Sequence, residues 1–205
     1  MVDYDRIKAV FHQYFDCDDV IIIHKDGEIS TKGYVSHKKK ATQLPVNFHE
    51  VDGFDVGGMG LTSLAGSPKF VYTEFLCIEN QLKTLEGGPV SVGGAYLCGF
   101  NNLTSLKGAP KKVLGHMSCP RNPLVSLEGI PEEGLGGLVL EYNRTLPLLR
   151  ALVAKQIQFV HHKDDPEPPQ KLQEIMSKYA GQGKRAMFDC QKELEDAGFS
   201  ENARW

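Results

Sequence analysis

The sequence predicts an α/β repeat fold, in which 21-residue repeats stack into a solenoid and each repeat adds one strand to a parallel sheet. Two observations predict this fold. Leucine, glycine, proline and asparagine recur at a step of 21 residues through the middle of the chain, whereas the flanking segments carry helix and hairpin patterns. A period in this range is typical of solenoids, because one repeat alone cannot bury its apolar face.

Six positions of the repeat keep the same phase. They are Leu61, Leu82, Leu103 and Leu124; Leu64, Leu85, Leu106 and Leu127; Gly66, Gly87, Gly108 and Gly129; Pro68, Pro89, Pro110 and Pro131; Cys77, Cys98, Cys119 and Leu140; and Asn80, Asn101, Asn122 and Asn143. We expect the cysteines to be small core side chains and the asparagines to bond backbone groups at the turns. Gly-x-Pro fixes the return path of each turn.

The phase L-x-x-L-x-L-x-x-N is complete at Leu135, Leu138, Leu140 and Asn143. It resembles the leucine-rich repeat, which implies a leucine-rich-repeat solenoid over residues 44–163. A weaker copy runs through Val51, and the first coil is expected to begin near residue 44.

The segment before the repeats, residues 1–43, predicts an N-terminal cap made of a helix and a hairpin. Apolar residues at helical spacing predict a helix over residues 3–15 with Asp3 as its N-cap. A β-branched run at 20–23, the turn dipeptide Asp26-Gly27 and an alternating run at 29–35 predict the hairpin.

The segment after the repeats predicts a C-terminal helical module. The solenoid is expected to close with a helix at 146–154 and a strand at 157–160. Prolines in the run from Asp164 to Pro169 predict an exposed linker. Apolar stripes through Leu172 and Leu194 then predict a helical hairpin, so that residues 164–205 form the third segment of the chain.

Composition limits the classes of partner. The formal net charge of −3 and a pI near 6.2 disfavour nucleic acid, and no apolar run is long enough to span a bilayer. Five cysteines without CxxC spacing argue against a disulfide framework and a zinc site. We therefore expect a cytoplasmic protein that contacts no membrane and needs no metal or cofactor.

Several longer segments strengthen the resemblance to one group. The runs Asp26-Gly27-Glu28-Ile29, Leu44-Pro45-Val46-Asn47-Phe48 and Asn202-Ala203-Arg204-Trp205 resemble uncharacterised leucine-rich-repeat proteins of tailed bacteriophages. That group has no shared activity to transfer. The repeats are also similar to those of secreted bacterial ubiquitin ligases, but their Cys-x-Asp motif is matched only by Cys17-Asp18-Asp19, before the repeats.

No pattern predicts a catalytic site, and we expect a protein that is not an enzyme. His161, His162 and Asp165 are metal-ligand types, but adjacent strand residues face opposite ways. The glycines at 57–60 lack the lysine of a phosphate loop. The basic run at 37–40 is typical of a solvated surface.

The expected working surface is the concave face of the sheet. Its candidate partner-binding residues are Glu74, Leu76, Ile78, Leu97, Phe100, His116, Ser118, Arg121, Val139, Glu141 and Tyr142. Leu76, Leu97 and Val139 share a repeat position, which predicts an exposed apolar stripe. The sequence thus favours a non-enzymatic module that binds a protein partner, with a host factor as a candidate. The alternative is an assembly component that self-associates or docks onto a particle.

Overall fold

The computed structural model describes residues 2–163 and 165–205, in which the chain forms a β-solenoid with two sheets. The eight-stranded sheet contains β1 (Phe15–Cys17), β4 (Tyr34–His37), β6 (Gly53–Asp55), β8 (Phe75–Leu76), β10 (Tyr96–Leu97), β12 (His116–Ser118), β13 (Gly137–Glu141) and β14 (Gln156–Val160). The six-stranded sheet contains β2 (Ile21–Ile23), β3 (Ile29–Thr31), β5 (Phe48–Val51), β7 (Phe70–Val71), β9 (Ser91–Val92) and β11 (Lys112–Val113).

The repeats stack in parallel with a constant register. In the eight-stranded sheet Phe54 pairs with Phe75, Phe75 with Tyr96 and Tyr96 with Met117. Each of these steps is 21 residues, so the parallel sheet predicted from the period is confirmed. Antiparallel pairs occur only at the start of the described chain, between β1 and β4 and between β2 and β3.

The six-stranded sheet is the main departure from the prediction of one strand per repeat. After each Gly-x-Pro turn the chain is extended again, and Val71, Val92 and Val113 form a buried column. The sequence signal was a single valine in each repeat, which is too little to distinguish a strand from a turn. Each central repeat therefore contributes two short strands, one to each sheet.

The core lies between the two sheets and runs the length of the solenoid. The rings of Phe54 and Phe75 stack with their centroids 5.7 Å apart, and those of Phe75 and Tyr96 lie 5.3 Å apart. Both leucine columns of the repeat are buried. Burial of each such side chain contributes roughly 1.5–3 kcal/mol, and stacking the repeats is what makes that burial complete.

Cys77, Cys98 and Cys119 form the predicted buried column, and all five cysteines are free thiols. Burial raises the pKa of the Cys77 thiol to about 12, because a thiolate there would lose its hydration. The pKa of Cys98 is raised well above its usual value by its contact with Cys119 and by burial. The column is therefore apolar in character.

The predicted role of the asparagines is confirmed at Asn80, Asn101 and Asn122. The Asn101 side chain donates to the carbonyls of Cys77, Cys98 and Gly99 at 2.9–3.2 Å and accepts from the backbone N–H of Leu82 at 3.0 Å. Asn80 and Asn122 make the equivalent bonds one repeat away. The ladder satisfies backbone groups at the ends of β8, β10 and β12.

The N-terminal segment begins with helix α1 (Tyr4–Tyr14), whose first turn is capped by Asp3. Phe11 is buried with its ring 5.6 Å from Phe15 and 6.1 Å from Phe48. The β2–β3 hairpin forms as predicted, but the alternating run at 29–35 divides. Residues 29–31 of this run form β3. Because the chain bends at residues 32–33, residues 34–35 instead begin β4 in the other sheet.

The C-terminal segment packs on the last strand. A 3₁₀ helix (Leu149–Val153) lies where an α-helix over 146–154 was predicted, since Pro147 and the start of β14 leave room for only a short turn. Helices α2 (Gln170–Tyr179) and α3 (Met187–Asp196) contact each other, and α2 contacts β14. The Asn202 side chain donates to the carbonyl of Leu146. Asp164, in the predicted linker, lies outside the described residues.

Candidate functional site

The candidate site is the outer face of the eight-stranded sheet, where every second residue of a strand projects away from the core. Inward Phe75 is buried, whereas Leu76 beside it is half-buried. The strand register aligns the outward residues in rows that cross the repeats. The middle row contains Ser36, Asp55, Leu76, Leu97, Ser118, Val139 and Gln158.

The middle row differs from the predicted apolar stripe. Leu76 and Leu97 are register neighbours, but Ser118 stands between Leu97 and Val139. The sequence predicted Ser118 as a residue of this face but left it out of the stripe, because the stripe was inferred from the apolar members of the column alone. The apolar contact area is therefore a pair of leucines at the centre of the face, with Val139 separated from them.

Two further rows flank the middle row and contain several glycines. Tyr34 pairs with Gly53, and a Cβ atom at Gly53 would lie 2.3 Å from Tyr34 Cδ2. In the opposite row, a Cβ at Gly99 would lie 3.2 Å from Cδ of Pro120. These glycines leave room for the neighbouring rings of Tyr34 and Pro120 to lie across the sheet.

A depression of about 530 Å³ lies at the last repeats of the face. Gly137 provides its floor, and His116, Val139, Gln156 and Gln158 are among the residues that line it. His116 is exposed, and its neighbour in the register is Gly137. The predicted residues His116 and Val139 thus border a recess, whereas the two glutamines were missed because β14 departs from the 21-residue step.

Three non-glycine residues with left-handed backbone follow the face at its turn edge. Glu79, Phe100 and Arg121 have φ values of 55°, 55° and 57° and occupy the same repeat position. Phe100 is 52% exposed. Arg121 Nη1 instead lies 3.4 Å from Glu141 and 3.5 Å from Asp165. Arg121, which the sequence predicted as a partner-binding residue, joins residue 165 to the last repeats in this structure.

All eleven predicted residues lie on this face or on its turn edge. Glu74 and His116 lie in one flanking row, Ile78 and Glu141 in the other, and Tyr142 follows the turn-edge column with its ring 6.4 Å from Phe159. Whether these residues bind a partner stays a prediction. Tyr34, Asp55 and Glu79 were missed, although extending the repeat phase by one copy would have found the last two.

The first half of the face is acidic. Asp55, Glu74 and Glu79 have no ion-pair partner among the described residues, and Asp55 accepts a hydrogen bond from the backbone of Gly57. The pKa of Tyr34 is raised to about 12, first by burial and then by the charges of Asp55 and Glu74. A neighbouring negative charge disfavours the phenolate, so the two carboxylates add to the larger effect of burial on this pKa.

A second polar cluster lies on the six-stranded sheet. His24 Nε2 lies 2.7 Å from Ser30 Oγ, and Glu28 bonds Lys69 at 3.0 Å and His49 at 3.1 Å. The ammonium of Lys69 and then the bond to His49 lower the pKa of Glu28, against the effect of desolvation. Ser30 is only 4% exposed, which leaves a substrate little access to its hydroxyl. The cluster is therefore an ion-pair network that joins the first strands of this sheet.

Within residues 2–163 and 165–205, no group of three or more His, Cys, Asp or Glu side chains is arranged to hold a metal ion. In the same residues no helix has the length and apolar character needed to cross a bilayer. Comparisons with protein-family models, with curated proteins and with solved structures found no match for the chain.

Proposed function

We propose that the protein is a non-enzymatic binding module that holds a protein partner on the outer face of the eight-stranded sheet. The observation that carries the proposal is the apolar centre formed by Leu76 and Leu97, with Ile78 half-buried beside them and Phe100 exposed at the edge. Aromatic and aliphatic side chains on a flat, rigid surface are typical of protein interfaces. A solenoid supplies that rigidity without a dedicated pocket.

In this proposal the repeat is a leucine-rich repeat, α1 with the β2–β3 hairpin caps one end of the core, and the C-terminal helices cap the other. The 21-residue leucine and asparagine phase supports the first assignment, and the buried Phe11 and Leu172 support the caps. The resemblance to leucine-rich-repeat proteins of tailed bacteriophages makes a host factor in the cytoplasm the first partner to test.

The test is affinity capture from a lysate with the wild type, Leu97→Asp and the matched control Val125→Asp. Val125 is 66% exposed and lies on a turn outside the three rows. We expect Leu97→Asp to lose the partner and Val125→Asp to retain it, after circular dichroism has shown that both variants fold. Equal capture by Leu97→Asp and the wild type would contradict the proposal.

The alternative function is self-assembly, and one observation favours it. The six-stranded sheet ends at the two-residue strand β11. Within the described residues, the outer edge of this strand is paired only by a bridge between Lys112 and Glu133. Edge strands with free backbone groups can pair with a second chain. Sedimentation of the pure protein decides between the two, because a monomer at high concentration excludes assembly through this edge.

A further inference from the structure

The sign of the charge on the face distinguishes one half from the other. Asp55 lies on β6, whereas Glu74 and Glu79 flank the neighbouring strand β8, and adjacent strands are about 4.8 Å apart. That spacing is below the Debye length of about 8 Å at physiological salt, so the fields of Asp55 and Glu74 add, and both raise the pKa of Tyr34. Glu79 extends the negative charge to the other end of β8. From β6 to β10, no described residue of the three rows or the turn edge is a lysine or arginine, and Lys38 at the end of β4 is paired with Asp16.

The apolar side chains of the face lie inside this acidic region. Leu76 follows Asp55 in the middle row, and Ile78 precedes Glu79 along the chain. A partner that covers the leucines must therefore also approach the carboxylates. Burying an unpaired carboxylate is unfavourable, so the occupant has to supply positive charge around its apolar contact.

Phe100 gives a second, independent reason to expect an occupant here. An aromatic residue with φ of 55° costs about 1–2 kcal/mol relative to glycine, and Gly58 occupies the equivalent position of an earlier repeat. Phe100 is half exposed, so packing within the chain recovers only part of this cost. The same φ occurs at Glu79 and Arg121, so it is the exposed ring beside Leu97 that is typical of a contact residue.

We propose that the occupant of this half of the face is a basic, apolar peptide segment of the partner protein. Its lysine or arginine side chains reach Asp55, Glu74 and Glu79, while an aliphatic or aromatic side chain packs on Leu76, Leu97 and Phe100. This partner chemistry rests on the function proposed above and adds to it the charge and polarity of the ligand. Polyanions are repelled from the same surface.

The experiment uses the full-length protein and a displayed library of random peptides. The binding variants are Leu97→Asp and the double variant Glu74→Gln/Glu79→Gln. The matched control is Glu128→Gln/Glu132→Gln, which removes the same charge at exposed positions on turns outside the face. Peptides enriched on the wild type are sequenced, and their affinities for each protein are measured at low and high salt.

We expect the enriched peptides to carry lysine or arginine on both sides of an apolar residue. Affinity should fall about three- to tenfold in Glu74→Gln/Glu79→Gln and stay unchanged in the control. High salt should weaken the wild-type interaction and leave the affinity of Glu74→Gln/Glu79→Gln less affected.

Three other results would overturn the proposal in different ways. Enrichment of neutral or acidic peptides that still need Leu97 would reject the basic segment and leave the binding face in place. Enrichment that is insensitive to Leu97→Asp, or no enrichment at all, would reject the binding face as well. Concentration-dependent sedimentation that is lost in Glu74→Gln/Glu79→Gln would identify a second copy of this chain as the occupant.

Discussion

At the scale of single residues, the asparagine ladder has the clearest energetic role. Asn101 is 6% exposed and makes four hydrogen bonds to backbone groups of two repeats. Water cannot replace these bonds at a buried position, so their loss leaves several backbone groups unpaired. The sequence could predict this role, because an asparagine at a constant step beside a buried strand meets the same unpaired backbone groups in every repeat.

Replacing Asn101 by alanine tests this role. We expect Asn101→Ala to lower the free energy of unfolding by about 2–4 kcal/mol, measured by urea denaturation. Asn102, the next residue, is exposed, and Asn102→Ala should change stability by no more than about 0.5 kcal/mol. Similar values for the two variants would show that the ladder contributes little to stability.

The left-handed residues at the turn edge were not predictable from the sequence. Glu79, Phe100 and Arg121 have side chains that disfavour a positive φ, and neither composition nor period indicates it. The conformation is imposed by the asparagine that follows each of them, whose side chain bonds the carbonyls of the preceding residues.

Two substitutions at Phe100 distinguish the effect of backbone strain on stability from the effect of the ring on binding. Phe100→Gly and Phe100→Ala both remove the ring, but only glycine removes the steric cost of the left-handed backbone. We therefore expect the glycine variant to be more stable than the alanine variant by about 1 kcal/mol in urea denaturation. Both should bind the partner more weakly than the wild type. A more stable alanine variant would mean that φ at this position is not strained.

At the scale of elements, the central repeats were predicted well and their return strands were not. Leucine, cysteine and asparagine positions identify the strands of the eight-stranded sheet, because each column has one environment. The six-stranded sheet was missed since its short strands, such as Phe70–Val71 and Ser91–Val92, have a single buried column and no leucine, cysteine or asparagine columns beside them. Strands that short carry no periodicity of their own and are stabilised by stacking.

The glycine column sets how closely successive turns stack. At Gly108 φ is 86°, and an added Cβ would lie 2.2 Å from the backbone nitrogen of Glu86. Gly108→Ala should therefore lower the free energy of unfolding by roughly 3–5 kcal/mol, through overpacking as well as backbone strain. Gly183 has φ of 56° with open space around its Cβ, so Gly183→Ala should cost only about 1–2 kcal/mol. If chemical denaturation gave the same loss of unfolding free energy for both variants, close stacking of the turns would not explain the effect at Gly108.

At the scale of the whole molecule, one core runs from α1 to the C-terminal residues. Phe11, Cys98 and Leu194 belong to the same cluster of buried side chains. The sequence predicted the segments of this core but not their packing, since contacts such as Leu148 N–H to the carbonyl of Asn202 join residues with unrelated patterns. The placement of the candidate residues on one face followed directly from the repeat phase.

The buried thiols make stability fall at alkaline pH. The pKa of Cys77 is raised by burial from 9 to about 12, so the folded state keeps a proton that the unfolded state loses above pH 9. Its contribution is complete below pH 9 and decreases as the pH rises toward 12, by up to about 1.4 kcal/mol per pH unit. Urea denaturation of the wild type and Cys77→Ala at increasing pH should show a shallower decline in the variant. Parallel declines would contradict this linkage.

Site-specific photocrosslinking tests the central claim, that the outer face of the eight-stranded sheet is the binding surface, most directly. A photoreactive amino acid is placed at Leu97 in one protein and at exposed Val125 in another, and each is irradiated in a lysate that contains the partner. We expect a discrete adduct of higher mass from position 97 that is absent from position 125 and is formed in lower yield when Glu74 and Glu79 are changed to glutamine. An adduct from position 125 alone, or none from position 97, would contradict the account.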